Sequence, residues 1–177
     1  LSCAKQKAVS AGADILFLNQ DMTAFELYGT VDAITCLLDS LNYITYKNDL
    51  KKLFRLVNNY LNPGGLFIFD INTSYKFEKI LSSNTFCRTD EDASYIWQNT
   101  YDKNSRICRF DLTFFVKEGQ YYRRFDEVHY ERSYEIDELG QMLKKAGITV
   151  MEVYGAFSFK KPGPKCDRAF FVCKKKG

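Results

Sequence analysis

Apolar residues in the first half of the chain alternate between two spacings, and each spacing names an element. Leu50, Leu53, Phe54, Val57 and Leu61 recur every three or four residues, which predicts an amphipathic helix over residues 47–60, with Asn48 or Asp49 placed to cap it. That helix runs into a stop, Leu61-Asn62-Pro63-Gly64-Gly65, and the continuous apolar run Leu66-Phe67-Ile68-Phe69-Asp70-Ile71 follows at once. A run without polar alternation is the pattern of a strand covered on both faces. A second such run, Val31-Asp32-Ala33-Ile34-Thr35-Cys36, precedes the helix, and the polar loop Asp39-Ser40-Leu41-Asn42-Tyr43 joins the two. Strand, loop, helix and strand make one βαβ unit whose loop opens at the carboxyl end of the first strand. Open α/β sheets hold their ligands there. Upstream, Ser2 to Ala11 reads as a helix ended by Gly12, and residues 14–19 read as a short buried strand with Gln20-Asp21-Met22 at its carboxyl end. Asn72-Thr73 starts a further short helix through Leu81.

The second half changes style. Residues 82–93 are polar and aperiodic and read as a loop, after which three segments alternate strictly: 94–101, 106–117 and 120–134. In the middle one Cys108, Phe110, Leu112, Phe114 and Val116 alternate with Arg109, Asp111 and Thr113, the period of a half-buried strand. Asp102-Lys103-Asn104-Ser105 and Glu118-Gly119 are hairpin turns. The expectation is a three-stranded antiparallel insertion, residues 94–134, placed between an α/β core at 1–93 and its completion at 135–177. That last part supplies a helix from Ile136 to Ala146 with Leu139, Met142 and Leu143 inward, a strand at 148–154 and a final strand at 169–173.

Composition narrows the function classes. A net charge of +3, with the only basic cluster at the chain end (Lys174-Lys175-Lys176), gives no footprint for nucleic acid. No apolar run approaches the roughly 20 residues of a membrane-spanning helix. The six cysteines have no C-x-x-C spacing, and the one histidine, His129, has no metal-like partner among them, so no metal site is expected. Cys36, Cys108 and Cys173 sit in apolar strand patterns, as small buried hydrophobes do in a reducing cytoplasm.

Taken in order, these segments resemble the later part of a class I S-adenosylmethionine-dependent methyltransferase. Val31-Asp32-Ala33-Ile34 is similar to that family's fourth strand. Tyr134-Glu135-Ile136, Ala146-Gly147-Ile148 and Cys166-Asp167-Arg168-Ala169-Phe170-Phe171-Val172 are similar to its closing helix and antiparallel hairpin. The loop at 39–43 resembles small-molecule enzymes of the glycine and amino-sugar N-methyltransferase type, which carry an antiparallel lid where this chain has residues 94–134. The resemblance implies a Rossmann-like α/β sheet, S-adenosyl-L-methionine as cofactor and a small-molecule acceptor. It places Asp21 and Met22 beside the adenine, and Cys36, Leu37 and Leu38 beside the methionine portion. Asp39 and Tyr43 are placed at the transferred methyl group, and Asn42 and Asn72 on the polar lip of the acceptor pocket. Asp21 has a second available role, capping the turn that follows it. His129 is a candidate general base or simply a hydrogen-bonded strand histidine. Arg132 either clamps an acceptor carboxylate or pairs with surface acids.

One departure stands out. The family's first strand carries a G-x-G-x-G turn, and no G-x-G occurs among these ten glycines. The chain opens on Leu1 inside a helix, so about 60 residues, two βα units, are expected ahead of it. Cofactor binding by these residues alone is then expected to be compromised and the fragment inactive by itself. With one edge of the strand at 31–36 open, residues 14–19 are expected to pair with it, to hang loosely or to pair with a second molecule, which invites self-association. A non-catalytic relative that binds a partner through the aromatic insertion is the competing reading.

Overall fold

A computed structural model describes all of residues 1–177. Two four-stranded sheets organise it. The first has the order β1-β2-β8-β7, built from β1 (Val31–Cys36), β2 (Leu61–Asn72), β7 (Ile148–Gly155) and β8 (Arg168–Lys175). β1 and β2 run parallel, and the other two neighbour pairs are antiparallel. This is the α/β sheet expected from the apolar runs. Helices α2 (Lys47–Tyr60) and α3 (Ile136–Lys145) supply its apolar cover. Leu50, Leu53, Phe54 and Val57 from α2 and Leu139, Met142 and Leu143 from α3 join Phe67, Phe69, Ile71 and Phe171 in a single core. Phe69 and Phe171 stack at 4.6 Å between ring centroids, which ties β2 to β8 through side chains as well as backbone.

The turn into β2 explains its Pro-Gly-Gly. A Cβ on Gly65 would lie 2.9 Å from the Asn62 carbonyl oxygen and 3.0 Å from that of Asp32, so only glycine lets the chain cross this close to β1. The cap of α2 differs from expectation. Its N-cap is Tyr46, and Asp49 lies in the first turn, where it pairs with Lys52 at 2.7 Å and complements the helix dipole.

The second sheet, β3-β4-β5-β6, is the insertion, and it has four strands where three were expected. β4 (Ala93–Asp102), β5 (Ile107–Glu118) and β6 (Tyr121–Arg132) match the three alternating segments. The extra strand β3 (Thr85–Thr89) comes from the polar stretch read as loop; it pairs antiparallel with β4 and seats Phe86 against Trp97. Edge strands need little apolar content, because half their backbone and most of their side chains face water.

Residues 14–19 are not a strand. α1 (Ser2–Ser10) leads into an extended, exposed segment, and β1 pairs only with β2. A short apolar run becomes a strand only when a neighbour completes its ladder, and no strand of this chain lies on that side of β1. The segment instead closes on itself: the Gln20 side chain accepts from the Glu26 N–H at 2.6 Å and donates to the Glu26 carbonyl at 3.1 Å.

Candidate active site

A cavity of about 290 Å³ opens between the carboxyl end of the first sheet and the face of the insertion. Asp39 and Tyr43 reach it from the single 3₁₀ turn after β1 (Ser40–Tyr43), and Asn72 from the end of β2. Lys76 comes from the π-helical turn Lys76–Leu81, Trp97 from β4, Phe110 and Leu112 from β5, His129 and Glu131 from β6, and Arg168 from the start of β8. Every second residue of a strand faces the same way. That is why the β5 residues Cys108, Phe110 and Leu112 and their partners Glu131, His129 and Glu127 share the inward face.

Backbone strain marks the entrance. Leu38 and Asp39 both hold positive φ, 59° and 51°, a conformation that costs a non-glycine residue on the order of 1 kcal/mol. The strain is over-determined by what Asp39 then touches. Its N–H donates to Asp70 Oδ2 at 3.1 Å, its Oδ2 accepts from Asn72 Nδ2 at 2.9 Å, and its Oδ1 accepts from Arg168 Nη2 at 2.7 Å. Arg168 Nη1 also donates to Asp70 Oδ2, so one guanidinium bridges two carboxylates on separate elements. Asp70 is 1% exposed, and a buried charge persists only when paired in this way.

Glu131 is the second buried acid. It is 2% exposed, and its Oε2 accepts from the same Asn72 amide at 3.2 Å that also serves Asp39. Burial, followed by the neighbouring Asp39 charge, pushes its carboxyl up to about 8, with the Asn72 and Lys76 contacts acting in the opposite direction. Lys76 Nζ donates to Asn72 Oδ1 at 2.8 Å. Tyr43 meets the His129 ring edge-on at 5.8 Å, and burial raises its phenol above the usual tyrosine range. His129 Nε2 lies 3.1 Å from Glu127 Oε2.

Asp39, Tyr43, Asn72 and His129 are therefore brought together as candidate site residues. Asn42 is not. It is wholly buried, donates to the carbonyls of Asn72 and Arg132 at 3.2 and 2.8 Å, and accepts from the Asn72 N–H at 2.9 Å, so its amide pins the site from behind. Arg132 points to the other face of β6. It donates to the Thr45 carbonyl at 3.1 Å and lines a separate cavity with Tyr46, Ser105 and Tyr130. Asp21 and Met22 line a third cavity that they share with Tyr43. The Asp21 carboxylate accepts from both the N–H and hydroxyl of Thr23 at 2.7 Å, which holds it below the usual carboxylate range. Cys36 is half-buried, and burial pushes its thiol up to about 11. Leu37 and Leu38 project into solvent at 45% and 79% exposure.

Glu131, Lys76 and Arg168 were not among the sequence candidates. Glu131 carried a signal, since it shares the inward register with His129. Arg168 carried none, because it lies 98 residues from Asp70 and 129 from Asp39.

An α/β sheet packed by α2 and α3 on one face, with a polar and aromatic cavity at its carboxyl end beneath an antiparallel lid, is an architecture suited to a small ligand. Its other face is open, with Leu66 38% and Met151 53% exposed, against the two-sided cover expected from the apolar runs. Comparison with known proteins places the chain more closely. It is 39% identical over 178 residues to the Bacillus subtilis (strain 168) protein named "Putative methyltransferase YqeM", covering 99% of this chain and 71% of that one. A solved S-adenosylmethionine-dependent methyltransferase from Clostridium acetobutylicum superimposes with a TM-score of 0.93 at 36% identity, over 99% of this chain and 71% of that one. The CcbJ methyltransferase from Streptomyces caelestis shares the fold at a TM-score of 0.80 and 15% identity, over 100% and 71% of the two chains. No protein-family model matches. The chain belongs to the class I S-adenosylmethionine-dependent methyltransferases.

The residues present suit part of that cofactor. Leu37 and Leu38 are apolar and solvent-facing at the carboxyl end of a parallel strand, where an apolar flank of a ligand would cover them. Asp21 keeps a second carboxylate oxygen free of protein partners for an amine donor.

Proposed function

We propose that the cavity between the 3₁₀ turn and the lid receives a small-molecule methyl acceptor, and that Asp39 and Tyr43 face its reacting atom. The observation that carries this reading is the convergence of Asp39, Tyr43, Asn72 and His129 on one cavity at the carboxyl end of the sheet. Bound S-adenosylmethionine supplies a methyl group already activated by its sulfonium, so the protein's task is to position the acceptor and exclude water. The volume suits a small molecule, and the apolar wall of Leu81, Trp97, Phe110 and Leu112 dries one side of it. Leu37, Leu38, Met22 and Asp21 are assigned to the cofactor. Arg132, on the opposite face of β6 and in its own cavity, is not assigned to the acceptor. No helix is long and apolar enough to cross a membrane.

Two finer points belong to the same proposal. A polypeptide of these 177 residues alone, without a G-x-G turn, is expected to bind S-adenosylmethionine weakly. With the outer edge of β1 unpaired, it is also expected to self-associate. Calorimetry with S-adenosylmethionine on this polypeptide tests the first, and gel filtration the second. The site itself is tested by Tyr43→Phe in the full-length protein. Its hydroxyl makes no hydrogen bond within the protein and the residue is 46% exposed, so stability should stay within about 0.5 kcal/mol while methyl transfer falls at least tenfold. Unchanged turnover would remove Tyr43 from the site.

A further inference from the structure

We propose that Glu131 is the proton acceptor of the methyl-transfer site and that the acceptor it serves arrives as a protonated primary amine. This rests on the assignment of the cavity to the methyl acceptor. Three observations carry it: the placement of the carboxyl, the charge balance around it and the aromatic wall opposite.

Glu131 is held where a base would be useful and where a structural acid would not be. It lines the cavity, yet the side chain is almost completely buried and makes no salt bridge. Its only hydrogen-bond donor, the Asn72 amide, is shared with Asp39. The groups facing it come from every neighbouring element. They are Asp39 and Tyr43 on the 3₁₀ turn, Asp70 and Asn72 on β2, Lys76 on the π-helical turn, Cys108 opposite it on β5, His129 on its own strand and Arg168 on β8.

Among these charges Arg168 bridges Asp39 and Asp70, and Lys76, held on Asn72, acts on Glu131 without forming a salt bridge. Two cations therefore face three carboxylates, and ionising Glu131 leaves the cluster one negative charge in excess. A cation entering the cavity supplies the missing charge. Trp97, Phe110 and Tyr43 present rings to the same space, and aromatic faces favour an ammonium over a neutral group.

An ammonium has no lone pair and cannot accept a methyl group until it loses a proton. The N–H bond breaks with its electrons remaining on nitrogen, and the proton passes to Glu131. The freed lone pair then forms the N–C bond as the C–S bond of the sulfonium breaks with its electrons on sulfur. The product is a methylated ammonium, and Glu131 returns its proton to water at the cavity mouth. Acidity matters here: burial raises the Glu131 carboxyl above the ordinary glutamate range, which brings it closer to an alkylammonium and makes it a better proton acceptor than an exposed glutamate.

The test uses the full-length protein labelled with ¹³C at the glutamate δ-carboxyl, benzylamine as the cationic probe and benzyl alcohol as its neutral counterpart. One resonance should titrate far above the other glutamates, vanish in Glu131→Gln and move to lower pH in Asp39→Asn, which removes the adjacent negative charge. At pH 7 benzylamine should shift that resonance toward the ionised form, and benzyl alcohol should not. The proposal is overturned if Glu131 titrates with the other glutamates, or if the two probes act alike. Wild-type protein alone decides the matter should either variant fail to fold. A separate titration with S-adenosylhomocysteine, followed at the Leu37 and Leu38 methyl groups, tests the cofactor side. No response there would remove the methyl-transfer reading of the cavity and leave the Glu131 measurement standing on its own.

Discussion

Replacing Arg168 with methionine removes the one cation paired with the buried Asp70 carboxylate. In the folded chain Asp70 Oδ2 accepts from Arg168 Nη1 and from the Asp39 N–H, while Oδ1 has no partner at all. Methionine fills a similar volume, so little packing is lost and the effect isolates the charge. Breaking a buried ion pair by deleting one partner typically costs 3–5 kcal/mol, because the remaining charge is stranded. The Asp39 limb contributes less, since its carboxylate is 21% exposed and water screens it. We therefore expect about 3 kcal/mol, a large share of the roughly 5–15 kcal/mol that holds a domain together. In urea the midpoint should drop by about 1–2 M with the slope unchanged. The double variant Arg168→Met with Asp70→Asn leaves no stranded charge at position 70, only the partly exposed Asp39 without its cation, and should recover about 2 kcal/mol of the loss relative to the sum of the single variants. A loss under about 1 kcal/mol for Arg168→Met, or a strictly additive cycle, would refute the claim that this guanidinium compensates Asp70.

Asn42→Ala should cost about 2–4 kcal/mol in the same assay, because it leaves the Asn72 N–H and the carbonyls of Asn72 and Arg132 buried without their partner; a loss below 1 kcal/mol would show that water replaces it. Glu131 makes stability depend on pH in the direction opposite to most carboxylates. Its folded carboxyl is raised, to about 8, so the folded state holds a proton that the unfolded chain has already released. This contribution is fully present below about 4.5, is lost progressively as pH rises toward 8, and amounts to a few kcal/mol at most. Denaturation midpoints of wild type and Glu131→Gln compared between pH 5 and 9 should converge at the acid end, with the variant the more stable at the alkaline end. Parallel profiles would contradict the raised value.

Much of this architecture is legible in local periodicity. The three- and four-residue spacing of α2 and α3 and the alternation of β5 each report which faces are dry, and a dry face is a property of a few consecutive residues. The apolar runs of β1 and β2 marked the strands but not their cover, since Phe67, Phe69 and Ile71 enter the core while Leu66 stays 38% exposed. The same logic placed Asp39, Tyr43 and Asn72 near one another, since each follows a strand whose carboxyl end lies at the same edge of the sheet. Local pattern could not decide whether residues 14–19 or Thr85–Thr89 form strands. Either run becomes a strand only if a neighbour offers an open ladder, and β4 offers one to Thr85–Thr89. Nor could it separate Asn42 from Asn72, or Glu131 from His129. Two polar residues in one loop, or on one face of a strand, differ in burial only through what crosses over them from elsewhere in the chain. The sequence by itself determined most of the elements and the edge of the sheet to which Asp39, Tyr43 and Asn72 come. The tertiary structure alone decided that Arg168, brought from the far end of the chain by the β2–β8 pairing, bridges Asp39 and Asp70 and makes no salt bridge to Glu131, because electrostatic compensation depends on distance in space and not on order along the chain.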